Sequence, residues 1–202
     1  MLASVAVSSE SDLLLRAREG DVEAYAEFVR LFERRVRALL GRLLDDERDV
    51  EEAAQDTFVQ AWRNLARFRG DSQPFTWLYR IAANEALQRT RRKKLDVRSL
   101  DDLHPGDSSF FDPRSNVDTL AENRELSSFL ATKLRELPFE YRAPLVLRDI
   151  EGWSNQEVAD ALELSLPAAK SRIHRARSQL RDVVEVRRNQ EASDSSPDTA
   201  AP

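Results

Sequence analysis

Lys170, Ser171, His174 and Arg175 stand at i, i+1, i+4 and i+5 of a stretch whose small and apolar residues, Ala169, Ile173, Ala176 and Leu180, take the opposite stripe. On a helix this gathers four polar side chains on one face, with Arg172 beside them. Their chemistry is recognition. Arg and Lys donate to guanine O6 and N7 or to phosphate, and Ser and His serve either kind of edge. A second set, Trp77, Arg80, Asn84, Gln88 and Arg91, recurs at i, i+3, i+7, i+11 and i+14, again one helical face. An aromatic next to a loop, then Arg and Asn, then a basic end suits unstacked bases and a backbone track. Spacing alone leaves two plainer readings open. Trp77 and Tyr79 fit ordinary core packing, and the first set fits a solvated amphipathic helix.

Bond-making chemistry finds little support. The acids lie on loops and on one amphipathic helix, with no nucleophile–base pair among them. Cysteine is absent, and His104 and His174 are far apart with no metal-ligand neighbours, so neither a metal site nor a cofactor is expected. No apolar run approaches the roughly 18 residues of a membrane span. The opening Met1-Leu-Ala-Ser-Val-Ala-Val has no basic n-region and is too short for a secretory signal, so a cytoplasmic location is expected.

The formal net charge of −5 argues by itself against a nucleic-acid partner, but the charge is segregated. From Pro74 to Lys94 six basic residues (Arg80, Arg89, Arg91, Arg92, Lys93, Lys94) face one acid, Glu85. From Pro167 to Arg181 there are five (Lys170, Arg172, Arg175, Arg177, Arg181) and no acid. Asp45 to Asp56 holds seven acids and one arginine. Attraction to phosphate follows the local patch and not the total.

The elements that must position these residues read as helices almost throughout, giving an all-α chain of two small domains. A short helix over Ser11 to Arg18 stops at Gly20, and Asp21 caps the next, whose stripe runs from Tyr25 to Leu44. A third begins near Val50, with Ala53, Ala54, Thr57, Phe58, Ala61, Trp62 and Leu65 inward. Glu52, Gln55, Asp56 and Arg63 face outward. Pro74 opens the fourth, where its missing N–H is harmless. Periodicity then vanishes between Leu95 and Glu122, a Pro- and Ser-containing stretch with seven acids against Arg98 and Arg114, read as a flexible acidic linker. Helices follow from Asn123 to Pro138 and from Tyr141 to Ile150, the latter closed by Gly152 and interrupted by Pro144. Ser154 and Glu157 form a capping box that starts a helix at Asn155, and Pro167 starts the one bearing Lys170, which makes a helix-turn-helix. The expected boundaries are a disordered start at 1–10, a first domain at 11–94, the linker at 95–122, a second domain at 123–187 and a disordered tail at 188–202.

Three stretches, in this order, carry a family resemblance: Asp49-Val-Glu-Glu-Ala-Ala-Gln-Asp-Thr-Phe-Val-Gln-Ala-Trp62, then Phe68-Arg-Gly-Asp-Ser with Phe75-Thr-Trp-Leu-Tyr-Arg-Ile-Ala-Ala-Asn84, then Glu157-Val-Ala with Lys170-Ser-Arg-Ile-His-Arg-Ala-Arg177. The chain resembles the extracytoplasmic-function (ECF) sigma factors of bacterial RNA polymerase, over roughly residues 10 to 186. The resemblance implies sigma domains 2 and 4, no enzyme activity, and core RNA polymerase (the β′ clamp helices and the β subunit) and promoter DNA as partners. It implies that Glu52, Gln55 and Asp56 dock on the clamp helices. Phe68, Arg69, Asp71, Ser72 and Trp77 would capture a flipped base of the −10 element, with Arg80 and Asn84 at its upstream edge and Gln88 and Arg91 beyond. Lys170, Ser171, Arg172, His174 and Arg175 would read the −35 element. It further implies an anti-sigma factor that hides both binding faces, and a linker threaded into the RNA path.

Three departures stand out. Pro167-Ala168 replaces the Gly-Thr pair that usually opens the recognition helix, Glu163 stands where many relatives have glycine, and Pro144 interrupts the preceding helix. These predict an altered −35 preference and a changed turn at Glu163, with the fold kept. Two rival functions fit parts of the sequence: a DNA-binding regulator outside the holoenzyme, which leaves the Glu52 face idle, and an enzyme acting on nucleic acid, which lacks a reactive cluster.

Overall fold

Ser9 and Asp12 exchange hydrogen bonds, Asp12 N–H to Ser9 Oγ at 3.2 Å and Ser9 N–H to Asp12 Oδ2 at 3.1 Å, and this capping box starts α1 (Glu10–Arg18). In the computed structural model of the chain, residues 9–68, 73–97 and 121–194 are described, and they divide between two compact units, one on each side of residue 112.

In the first unit α1 ends in a Schellman motif. Gly20 takes the left-handed φ of 97°, Gly20 N–H reaches Ala17 O at 3.0 Å and Asp21 N–H reaches Arg16 O at 3.1 Å. Asp21 then caps α2 (Val22–Leu43), accepting from Ala24 N–H at 3.0 Å. That bond and the Arg16 guanidinium hold its carboxyl below the usual range. The stripe of α2 is the core: Phe28, Phe32, Val36, Leu39, Leu40 and Leu43 are fully buried. Burying each such side chain contributes about 1.5–3 kcal/mol. Asp46 caps α3 (Glu47–Arg63), which therefore starts one turn before the expected Val50. A single 3-10 turn, Leu65–Arg67, leads to Phe68, and α4 spans Pro74–Val97. Helices α2, α3 and α4 each pack on the other two, and α1 packs on α2 and α4.

Trp62 corrects an expectation. Its ring packs against Tyr25 at a tilt of 59° with centroids 4.8 Å apart, yet it stays 40% exposed, at the rim of the core. Tyr25 is anchored beneath it, its hydroxyl donating to Phe58 O at 2.5 Å.

The second unit begins with α5 (Ala121–Glu136), two residues before the expected Asn123. Arg142, buried in α6 (Phe139–Leu145), donates to Arg135 O at 2.9 Å and so closes the carboxyl end of α5. Pro144 lies inside α6, and the expected helix does not run on to Ile150 as α-helix. Val146–Ile150 is a π-turn in which Glu151 N–H reaches back to Val146 O at 3.0 Å. A proline cannot donate and crowds the carbonyl four residues earlier, so a shifted hydrogen-bond register after it is expected. Helix α7 (Asn155–Ala161) has the full capping box, with Glu157 N–H to Ser154 Oγ at 3.2 Å and Ser154 N–H to Glu157 Oε2 at 2.9 Å.

Helix α8 spans Leu166–Asp194, and α5, α6 and α7 all pack against it. It overruns the expected tail: residues 188–194 are helical, as no proline or glycine intervenes before Pro197. Just before this stretch Arg187, 4.7 Å from the Phe129 centroid and 3.2 Å from Glu125 Oε1, ties α8 to α5. Likewise 95–97 belong to α4. The rest of the expected linker (98–120), the start 1–8 and the tail beyond 194 lie outside the described residues.

Candidate nucleic-acid interface

Ser165 opens α8, its carbonyl accepting from Ala169 N–H at 3.0 Å and its hydroxyl from Ala168 N–H at 3.3 Å. Pro167 sits inside the first turn, where no intrahelical donor is lost. Ala169, Ile173 and Ala176 are buried against the unit's core, and Lys170, Ser171, His174 and Arg175 are exposed on the other side, with Arg172 half-buried. Arg177, counted in the same basic run, has another task. It grips Asp149 of the π-turn with Nε–Oδ2 at 2.8 Å and Nη2–Oδ1 at 2.5 Å. That two-pronged pair links α8 to the preceding segment at the surface of the unit.

The turn between α7 and α8 answers the expectation at Glu163. Its φ is +54°, the left-handed conformation glycine adopts freely, and Leu164 N–H returns to Ala159 O at 2.8 Å. This is the longer bond of a Schellman motif. The turn keeps glycine-type geometry and carries backbone strain, so a changed turn is not what the substitution produces.

On α4, Trp77, Arg80 and Asn84 are half-buried and Gln88 and Arg91 exposed, so the five do share a face. Leu78, Ala82 and Ala86 are buried behind it, and so is Tyr79, which takes the core role that spacing left open. Phe68 is only 3% exposed, with its ring 5.2 Å from that of Trp77 at 55°, so it supports Trp77 from below and does not offer a stacking face. Arg18 Nη1 donates to Phe68 O at 3.3 Å and ties α1 to this corner. Arg69, Asp71 and Ser72 lie outside the described residues.

The third set, on α3, is exposed as expected: Glu52, Gln55 and Asp56. Sequence reasoning missed what lies behind them. Arg89 Nη1 reaches Glu52 Oε2 at 2.9 Å and Nη2 reaches Asp56 Oδ2 at 2.5 Å. Lys93 Nζ pairs with Asp49 and lies 3.8 Å from Asp46 Oδ2. Gln55 Nε2 donates to Glu51 Oε1 at 3.2 Å, and Arg37 Nη2 holds the same oxygen at 2.7 Å. Two cations of the α4 basic run thus face protein carboxylates. A signal existed: Asp49, Glu52 and Asp56 recur at i, i+3 and i+7, and Arg89 and Lys93 at i and i+4 form the matching stripe. Glu85 lies one turn before Arg89 and is 9% exposed. Burial first, and Asp56 second, push its carboxyl above the usual range, against the pull of Arg89 and Arg92.

Among the described residues no group of three or more His, Asp or Glu side chains could hold a metal ion, and no helix is long and apolar enough to cross a membrane. Family models match both halves of this arrangement, Sigma-70 region 2 over residues 28–95 and Sigma-70 region 4 over residues 130–180. The chain is 32% identical over 174 residues to the RNA polymerase sigma-H factor of Pseudomonas aeruginosa, covering 83% of this chain and 90% of that one. It is 31% identical over 178 residues to the ECF RNA polymerase sigma-E factor of Escherichia coli (strain K12), covering 86% and 93%.

The chain belongs to the ECF sigma factors of the sigma-70 family.

A sigma factor is a promoter-recognition subunit and not an enzyme, and its regions 2 and 4 bind core RNA polymerase and promoter DNA. Solved structures agree in fold. CnrH in complex with the cytosolic domain of CnrY is 29% identical with a TM-score of 0.55, over 86% of this chain and 96% of that one. RpoE of Bartonella quintana, in complex with the anti-sigma factor NepR, has a TM-score of 0.63 at 22% identity, over 80% and 97%.

Proposed function

We propose that this sigma factor divides its work among three faces. Glu52, Gln55 and Asp56 on α3 dock on a cationic surface of core polymerase, the β′ clamp helices. Trp77, Arg80, Asn84, Gln88 and Arg91 on α4, with Arg69, Asp71 and Ser72 before them, take the −10 element and promote its melting. Lys170, Ser171, Arg172, His174 and Arg175 on α8 read the −35 element. The observation that carries this assignment is the sorting of cations on α8: Arg177, at the surface, is engaged by Asp149 in a two-pronged ion pair, while Lys170 and Arg175 stay exposed along a face with no acid. Flipping a base out costs a few kcal/mol, and stacking on an aromatic returns ~1–3 kcal/mol, which suits a half-buried Trp77 already braced by Phe68.

The domain boundaries proposed are 9–97 and 121–194, joined by the acidic segment 98–120. The work is cytoplasmic, where polymerase and chromosome are. Control by an anti-sigma factor is supported by the likeness to CnrH, which was solved in complex with the cytosolic domain of CnrY. A pull-down with core polymerase tests the docking face: the full chain is retained, and E52Q/D56N is retained about tenfold less, as for loss of a charged hot spot. Equal retention of the two would reject the α3 assignment.

A further inference from the structure

Arg89 belongs by sequence to the basic run of the DNA-facing helix, yet its side chain is only 13% exposed. The carboxylates it grips are not buried with it: the side chains of Glu52 and Asp56 are 65% and 52% exposed. The guanidinium therefore lies inboard, reaching each carboxylate through one oxygen from behind. Its third neighbour, Asp49 Oδ1 at 4.0 Å, is taken up by Lys93. We propose that Arg89 is a positioning residue for polymerase docking, which holds Glu52 and Asp56 in the rotamers that a cationic partner meets.

Two effects of such a pair oppose each other. A positive charge behind the face weakens long-range attraction to a cationic partner, and this loss is screened by salt. Against it, Glu and Asp side chains that would otherwise rotate freely are fixed before the partner arrives, and an arginine fork does this where a point charge cannot. Arg89 sits out of reach of a partner while the outer carboxylate faces stay in solvent, so it cannot compete by swinging away. Positioning outweighs masking in this geometry. Because Arg89 is on α4 and the carboxylates are on α3, the same contact couples the docking face mechanically to the helix that carries Asn84.

This proposal rests on the α3 docking assignment, and one experiment separates the two. Equilibrium binding of the full chain to purified bacterial core polymerase is measured for wild type, R89Q, E52Q/D56N and the triple variant, with a thermal midpoint for each. R89Q should weaken binding by about three- to tenfold, matching the ordering of two side chains, and add less than about twofold in the E52Q/D56N background, as expected for residues that act as one unit. R89K keeps the charge without the fork, should fall between wild type and R89Q, and serves if R89Q does not fold. An equal loss from R89Q in both backgrounds, no loss at all, or tighter binding overturns the proposal. If E52Q/D56N itself binds core polymerase like wild type, the docking assignment has failed and takes this inference with it.

Discussion

Arginines of one basic run do different work according to what lies across from them. On α8, Arg175 and Arg177 are both exposed and two residues apart in sequence, but Arg177 is held by the Asp149 carboxylate. R175A should reduce affinity for −35 duplex within the holoenzyme, lower the salt slope of binding by about 1 if the contact is to phosphate, and leave the thermal midpoint in place. R177A should do the reverse at first order, loosening α8 and lowering the midpoint. Footprints and melting curves of the two variants, side by side, check the sorting. The exposed set was legible because helical spacing alone fixes which residues share a face. The pairing of Arg177 with Asp149 was not, since 28 residues separate them and the π-turn that aims Asp149 depends on tertiary packing. Phe68 shows the same limit: its place in the motif marked it as DNA-contacting, but only the packing of Trp77 shows that its ring is covered.

Helix starts were readable where the signal is local. Ser154 and Glu157 bond reciprocally across three residues, and that start was placed correctly; α3 began early because Asp46, and not a residue nearer Val50, takes the cap. The helical reach of α8 to Asp194 was missed because its polar composition looks like a tail, while the Arg187–Phe129 contact that ties α8 to α5 just before it is non-local. Glu163 yields a prediction at this scale. A non-glycine residue at φ +54° stores backbone strain, so E163G should raise stability of the region 4 unit by about 1 kcal/mol in denaturant melts. Glu85 yields another. Its carboxyl is raised in the fold, so the native state holds its proton more tightly than the unfolded chain, and stability falls as pH rises from the ordinary carboxylate range through the raised value. E85Q should therefore raise the thermal midpoint of region 2 at neutral pH and remove that slope. A midpoint for E85Q that keeps the wild-type pH slope would show that another group produces it.

At the scale of the whole molecule, a chain of net charge −5 approaches a polyanion by keeping its acids and bases in separate places. Part of that separation is cancelled inside region 2, where Arg89 and Lys93 neutralise α3 carboxylates, and so the cationic surface offered to DNA is smaller than the sequence count implies. Promoter affinity should accordingly depend on the polymerase holding the chain in place, with weak DNA binding by the free protein at physiological salt. Run-off transcription tests the account most directly. With core polymerase and fragments of the source genome, the wild-type chain should yield discrete promoter-dependent transcripts, K170A/R175A should lose those that need the −35 element, and E52Q/D56N should reduce all of them at limiting sigma factor. Discrete transcripts that persist at full yield with both double variants, or none from any fragment with the wild type, would contradict it.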